Sequence, residues 1–232
     1  MAVNLPAHEV KGAFVEAMFD RIAPRYDLMN GLMTFGMDRI WRRTAVASLG
    51  LVPGAAMIDV GCGTGGLAAQ AKACGARVVG VDLSESMLEV ARRKGSADRL
   101  LKVDAGAMPF EDGSFDAVAC GFALRNFVDP QTVFNECWRV LKPAGRFALL
   151  EIDRPPTAFM RLLHRVYFSG VVPLLGRIFS DSDAYRYLPE SAAYLPNYEE
   201  MTTMLAAAGF KEIAKERLSA GAAQLMTASK GA

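Results

Sequence analysis

The chain has 232 residues, 52% of them apolar, a net charge of +1 and four cysteines. That length suits one α/β domain with additions rather than two full domains, and the apolar share is ample for a large core. A near-neutral balance with pI near 7.7 excludes a broad nucleic-acid-binding face. Cys62, Cys74, Cys120 and Cys137 lack C-x-x-C spacing and have only His8 and His164 as company, so neither a metal site nor a disulfide framework is expected.

In chain order, no basic-then-apolar leader opens the sequence, which makes the cytoplasm the default location. Residues 8–49 read as a helical cap ahead of a sheet. Phe14, Met18 and Ile22 recur at helical spacing, Phe19 widens the stripe, and Pro24 closes the segment. Tyr26 to Met33 and Met37 to Arg43 then concentrate methionines and aromatics beside polar groups. That composition suits a lid over a ligand, or a Met-rich structural helix.

Met57-Ile58-Asp59-Val60 is an apolar strand running into Gly61-Cys62-Gly63-Thr64-Gly65-Gly66 and then a helix from Leu67. Glycines at 61, 63 and 65 allow a sharp bend and close approach of a ligand, and the helix N-terminus offers free N–H groups. Gly61, Gly63 and Gly66 also spell G-x-G-x-x-G, a weak signal by itself. Asp59 decides the ligand class. A dinucleotide site carries an apolar residue there, whereas S-adenosylmethionine presents a sulfonium and an ammonium that a nearby carboxylate can hold, directly or through the turn. The alternative is that Asp59 only bonds the loop backbone.

Strands are expected at about 56–61, 77–82, 99–104, 115–121 and 146–151, with helices at about 66–74, 85–94 and 131–141, an alternation that implies a parallel sheet covered on both faces. The second strand ends in Asp82, followed by Leu83, 21 residues after Gly61 and placed for ribose hydroxyls. The third ends in Asp104, suited to the exocyclic amine of adenine, with Ala105 and Met108 as an apolar wall. The three acids line one carboxyl edge, where ligands of open α/β sheets bind. The fourth strand delivers Gly121 and an exit, Phe122 to Phe127, over the same crevice; its Arg125 serves the chemistry or a salt bridge to the core. Glu136 to Glu151 read as a helix, a proline-glycine stop and the fifth strand.

Residues 156–200 break the alternation. Their longest run free of charge or histidine, 166–176, is far below the roughly 20 residues of a bilayer span, and suits a tunnel for a long apolar substrate, a membrane surface or plain packing. Glu199 to Ala208 read as a helix stopped by Gly209, and 211–218 with 222–228 as a hairpin closing the sheet. The whole reads as one domain: a cap over 1–50, a cofactor core over 51–155, an insertion over 156–200 and a closing helix and hairpin over 201–232.

Tyr26-Asp27-Leu28-Met29-Asn30 with Trp41, and Arg139-Val140-Leu141-Lys142-Pro143-Ala144-Gly145 with Glu151, resemble the two signature regions of the ubiquinone/menaquinone biosynthesis C-methyltransferases of the UbiE/MenG type. Leu124-Arg125-Asn126 and Asp183 to Ser191 resemble them too, so the likeness runs from about residue 13 to 221. It implies a class I methyltransferase fold, Rossmann-like and doubly wound, with a mostly parallel seven-stranded sheet ending in an antiparallel hairpin. It also implies S-adenosylmethionine as donor, and by position carries cofactor binding onto Thr64, Asp82, Asp104, Ala105 and Gly121. The family pattern has an acid where this chain has Gly66, a histidine at Asp38, a serine at Asp153 and a Gly-Gly/His pattern where this chain has Ser219 to Met226.

The implied acceptor is a small aromatic, foremost the ring carbon of a demethylated prenyl quinol. Such a carbon becomes nucleophilic when a neighbouring hydroxyl loses its proton. Arg125 is the expected stabiliser of that oxyanion or of a proton-accepting water, and Tyr26 the expected positioner of the ring or proton relay. A related O-, N- or C-methyltransferase of a specialised metabolite, and a non-catalytic cofactor-binding subunit, are the alternatives. Peripheral membrane contact and a homodimer are left open; no nucleic-acid partner is expected.

Overall fold

The computed structural model describes residues 8–153 and 191–231. Apolar segments alternating with helices build strands β1 (Ala56–Val60), β2 (Arg77–Asp82), β3 (Arg99–Lys102), β4 (Phe115–Gly121) and β5 (Leu141–Ile152), and the chain ends in the hairpin β6 (Lys211–Leu218) and β7 (Ala223–Ser229). They form one sheet in the order β3-β2-β1-β4-β5-β7-β6. Neighbours β3 through β5 run parallel, whereas β7 enters antiparallel between β5 and β6. The chain winds outward from β1 to β3, then crosses to β4 on the other side. That reversal opens a crevice above the carboxyl ends of β1 and β4, the usual ligand site of such sheets.

The helices are α1 (His8–Ile22), α2 (Tyr26–Met33), α3 (Met37–Ser48), α4 (Gly66–Ala73), α5 (Glu85–Lys94), α6 (Pro130–Val140) and α7 (Tyr198–Ala208). Local chemistry sets several ends. Ser84 and Asp129 cap α5 and α6, and Asn197 with Glu200 forms a reciprocal capping box on α7, which Gly209 stops in the left-handed region. One face of the sheet buries Phe134, Phe147, Leu205 and Phe210, and the other Trp41, Met57, Leu67 and Ala68. Met57, Ile58 and Val60 of β1 are fully buried, as a central parallel strand requires.

Three details depart from the sequence reading. The buried stripe of α1 is Val15, Met18 and Ile22, packed on Met87 of α5; Phe14 is exposed. Asp104 lies two residues past the end of β3 rather than at its tip. The proline-glycine segment does not separate α6 from β5. Leu141 already pairs with Phe115, and Lys142 to Gly145 bulge out before pairing resumes between Arg146 and Ala117. The expected insertion falls almost wholly outside the described residues, as do His164 and all but the last residue of Asp183 to Ser191.

Candidate functional site

A cleft of about 390 Å³ lies over the carboxyl ends of β1, β2 and β4, with α1 and α2 across its top. Sheet register explains how three acids reach it. Asp59 pairs with Gly80, two residues before Asp82, and Asp82 pairs with Lys102, two residues before Asp104. The acids therefore climb two residues per strand; Asp59 and Asp82 keep the same parity, so their side chains point to the same face, and Asp104 follows past the end of β3. At the usual strand spacings this stair rises about 13 Å and crosses about 10 Å. It can follow an amino-acid tail, a ribose and a base in sequence.

The turn after β1 is tied to the stair. Asp82 accepts from the Gly63 amide at 2.7 Å and from the Ser84 amide at 2.9 Å, which fixes both loops beside the ribose position. Burial raises its pKa despite these bonds. Gly61 has φ +67°, and a Cβ there would meet Ala123 Cβ at 2.6 Å; Gly65 has φ +81° and faces Ser96. Asp59 is buried and accepts from the Ala68 amide at 2.9 Å through Oδ2, while Oδ1 has no hydrogen-bond partner. Burial lifts its pKa from the usual 3.8 to about 7. The Cys62 thiol also lines the cleft, and burial with Asp59 and Asp82 nearby pushes its pKa up, so it is not a nucleophile.

The cap is latched to the loops that form the cleft. Asp20 of α1 accepts from Ser84 Oγ at 2.6 Å and from the Ser86 amide at 3.2 Å. Lys11 donates to the Phe127 carbonyl at 2.6 Å. Asp27 of α2 accepts from Thr64 Oγ1 at 2.6 Å and pairs with Lys94. Thr64 thus joins the glycine turn to the lid. Trp41 of α3 donates to Ser219 Oγ at 2.8 Å, fixing that helix to the hairpin turn.

Of the residues expected to hold a cofactor, Asp59, Gly61, Gly63, Thr64, Asp82, Leu83, Asp104, Ala105 and Gly121 line the cleft, and Tyr26 lines it from the cap. Three expected site residues do not. Gly65 packs the turn against Ser96, and Met108 is buried in the core behind Ala105. Arg125 lies behind the wall. It pairs with the fully buried Glu151 and donates to Ser191 Oγ at 3.1 Å and to the Phe122 carbonyl at 3.1 Å. It therefore ties the segment after β4 to the core, the salt-bridge alternative of the sequence reading. Sequence reading did not single out Arg42 and Val133 as wall residues, whereas Phe127 of the expected exit does line the cleft. Arg42 carried a signal: an acid four residues before it on the same helix, and glycine in place of an acid at 66.

The orphaned Asp59 oxygen and the turn that a Cβ at 61 would close both fit a cationic nucleoside ligand. Comparison with known proteins agrees. A model of the ubiE/COQ5 methyltransferase family matches residues 7–230. The chain is 48% identical to a demethylmenaquinone methyltransferase of Thermus thermophilus over 201 residues, covering 83% of this chain and 91% of that one. It is 40% identical to the ubiquinone/menaquinone biosynthesis C-methyltransferase UbiE of Geobacter sulfurreducens over 230 residues, covering 95% and 90%. Among solved structures, a SAM-dependent methyltransferase of Thermotoga maritima, described as a possible histamine N-methyltransferase, superposes with TM-score 0.67 at 22% identity over 93% of this chain and 99% of that one. A phosphoethanolamine N-methyltransferase of Haemonchus contortus, in complex with S-adenosyl-L-methionine, gives 0.60 at 19% over 82% and 52%.

The raised pKa of Asp59 has a pH signature. Its protonated form is favoured in the fold, so its contribution to stability is complete below about pH 4 and is lost as pH rises to about 7. At about 1.4 kcal/mol per unit, the loss is roughly 4–5 kcal/mol. Asp59→Asn is expected to raise the melting temperature of the ligand-free protein at pH 8, with the gain vanishing near pH 4 in a pH series of thermal scans. Arg125→Ala is expected to cost about 3–5 kcal/mol because it strands Glu151, and Arg125→Met with Glu151→Leu to recover most of that in urea titrations. Turnover by the refolded double variant assigns Arg125 to the frame; a folded but inactive double variant returns it to the chemistry.

Proposed function

The chain belongs to the ubiE/COQ5 methyltransferase family, and on that footing we propose that it methylates a ring carbon of a demethylated prenyl quinol, such as demethylmenaquinol. It is an S-adenosylmethionine-dependent methyltransferase. The observation that carries the acceptor reading is the continuity of one cleft. Its floor holds the acid stair, and its roof is Val15, Phe19 and Tyr26 with Phe127 and Val128 at the side. An apolar aromatic ring fits that roof, and a charged acceptor does not. The division into cap, core, insertion and closing hairpin follows, with 156–200 assigned to the prenyl tail.

S-adenosylmethionine supplies an electrophilic methyl group carried on sulfur. The protein's part is to hold donor and ring in line and to keep water out. Asp59 faces the amino-acid end, Asp82 the ribose, and Asp104 with Ala105 and Leu83 the base. Tyr26 stands edge-on to Phe19, with ring centroids 5.9 Å apart, and its hydroxyl orients the quinol or passes on the proton that the ring hydroxyl releases. Arg125 contributes by holding the loop that carries Phe127.

No helix among the described residues is long and apolar enough to cross a membrane. We read the protein as cytoplasmic and meeting its lipid substrate at the membrane surface. Leu28, Leu32, Phe35 and Ile40 are exposed on α2, the following turn and α3, beside exposed Arg39 and Arg43. Apolar residues flanked by arginines suit the surface of an anionic bilayer. Incubation with methyl-labelled donor and demethylmenaquinol is expected to yield label on the ring carbon; label on oxygen or nitrogen overturns the acceptor assignment. Leu28→Ser with Leu32→Ser and Ile40→Ser is expected to abolish sedimentation with anionic vesicles while leaving turnover of a short-chain quinol in detergent intact.

A further inference from the structure

Arg42 is a charged side chain with no structural need to face the cleft. It sits on α3, where its guanidinium pairs with Asp38 one turn earlier; both side chains are largely buried, at 14% and 8% exposure. Thr34 Oγ1 donates to the other Asp38 oxygen at 3.0 Å, so the acid is itself held. The guanidinium then crosses the start of α4. A Cβ on Gly66 would stand 2.7 Å from Arg42 Nε and 2.9 Å from Cζ, so any larger residue at 66 would displace it. Phe122 fixes the other side: its ring centroid is 5.6 Å from Arg42 Cζ, and its backbone takes φ +59°, a strained value for phenylalanine. The charge of Arg42 also reaches Asp59, whose ionised form it favours.

The amino-acid end of the donor carries an ammonium and a carboxylate. This part of the cleft is lined by Asp59, whose Oδ1 lacks a partner and would meet an ammonium, and by the cation Arg42, beside the first turn of α4, whose N-terminal end favours negative charge. The pattern of charges is the complement of a zwitterion. Two departures from the family pattern meet at this point: the acid expected at 66 is gone, and an acid has appeared at 38, on the far side of the same guanidinium. Removing the carboxylate from α4 clears the space against the helix start, and supplying it from α3 anchors the arginine from behind.

We propose that Arg42 is the receptor for the α-carboxylate of the donor, that Gly66 admits it, and that Asp38 is a positioning residue that holds it in place. The inference rests on S-adenosylmethionine being the ligand of this cleft, and its test separates the two claims. Calorimetry compares S-adenosylhomocysteine with its decarboxylated analogue, which keeps the base, ribose and amine. Wild type is expected to prefer the carboxylate-bearing ligand. In Arg42→Ala that ligand weakens about 10- to 100-fold, the span of a charged hydrogen bond, while the analogue binds as it does to wild type. Asp38→Asn lowers the preference by less, and Gly66→Asp lowers it by setting a carboxylate against the guanidinium. Failure of wild type to bind S-adenosylhomocysteine overturns the methyltransferase reading itself. Equal losses for both ligands in Arg42→Ala, or no loss for either in the folded variant, overturn the inference alone, and an unchanged preference in Asp38→Asn removes Asp38 from it.

Discussion

The carboxyl group of Asp59 is held at the end of the central strand under the glycine turn, one oxygen on the Ala68 amide and the other buried without a partner. Its burial disfavours the charge that the site needs. Around it, the close approach of Gly61 to Ala123 shapes the turn, the Ala68 amide anchors α4, and Arg42 lends an opposing charge. A preorganised, dry acid of this kind is unfavourable in the free protein and favourable once a cation arrives. The fold can carry it because the neighbouring strands are packed with fully buried aliphatic side chains.

The cap meets this floor through contacts of two strengths. The apolar cluster of Val15, Met18, Ile22 and Met87 binds α1 firmly to α5. By contrast, the pairs Asp27–Lys94 and Glu16–Lys102 are a third to a half exposed, and pairs of that kind contribute only about 0–1 kcal/mol each. The segment carrying Tyr26 is therefore held by its weakest ties where it crosses the glycine turn, between a firmly packed α1 and an α3 fixed by Trp41.

The central sheet was legible in the sequence because β1, β2 and β4 are short apolar runs closed by glycine or an acid, and because helices alternate with them. The acids at 59, 82 and 104 were legible as cleft residues for the same reason. Their climb was not, since register between strands is absent from any one strand's sequence. Phe14 misled because helical periodicity gives a stripe without its phase; Val15, one residue on, shares the spacing to Met18 and Ile22 and faces the core. Arg125 misled because a lone arginine on a loop reads the same whether its partner is a substrate or Glu151, 26 residues away. Arg42 was hidden because a basic residue on an amphipathic helix reads as solvated surface until Gly66 is seen beneath it.

The positions where this chain leaves the family pattern bear on the choice of acceptor. Asp38 and Gly66 meet at Arg42, at the donor end of the cleft. Asp153 accepts from Lys215 Nζ at 3.0 Å and lies 3.4 Å from Arg217 Nε, so it ties the end of β5 to β6 at the sheet edge. None of the three is among the described residues around the apolar roof of Val15, Phe19, Tyr26, Phe127 and Val128. A change of acceptor would be expected to leave its mark on that roof, through altered polarity or size where the ring lies. The described roof keeps its apolar aromatic lining beside these changes, which suits a quinol better than a polar metabolite.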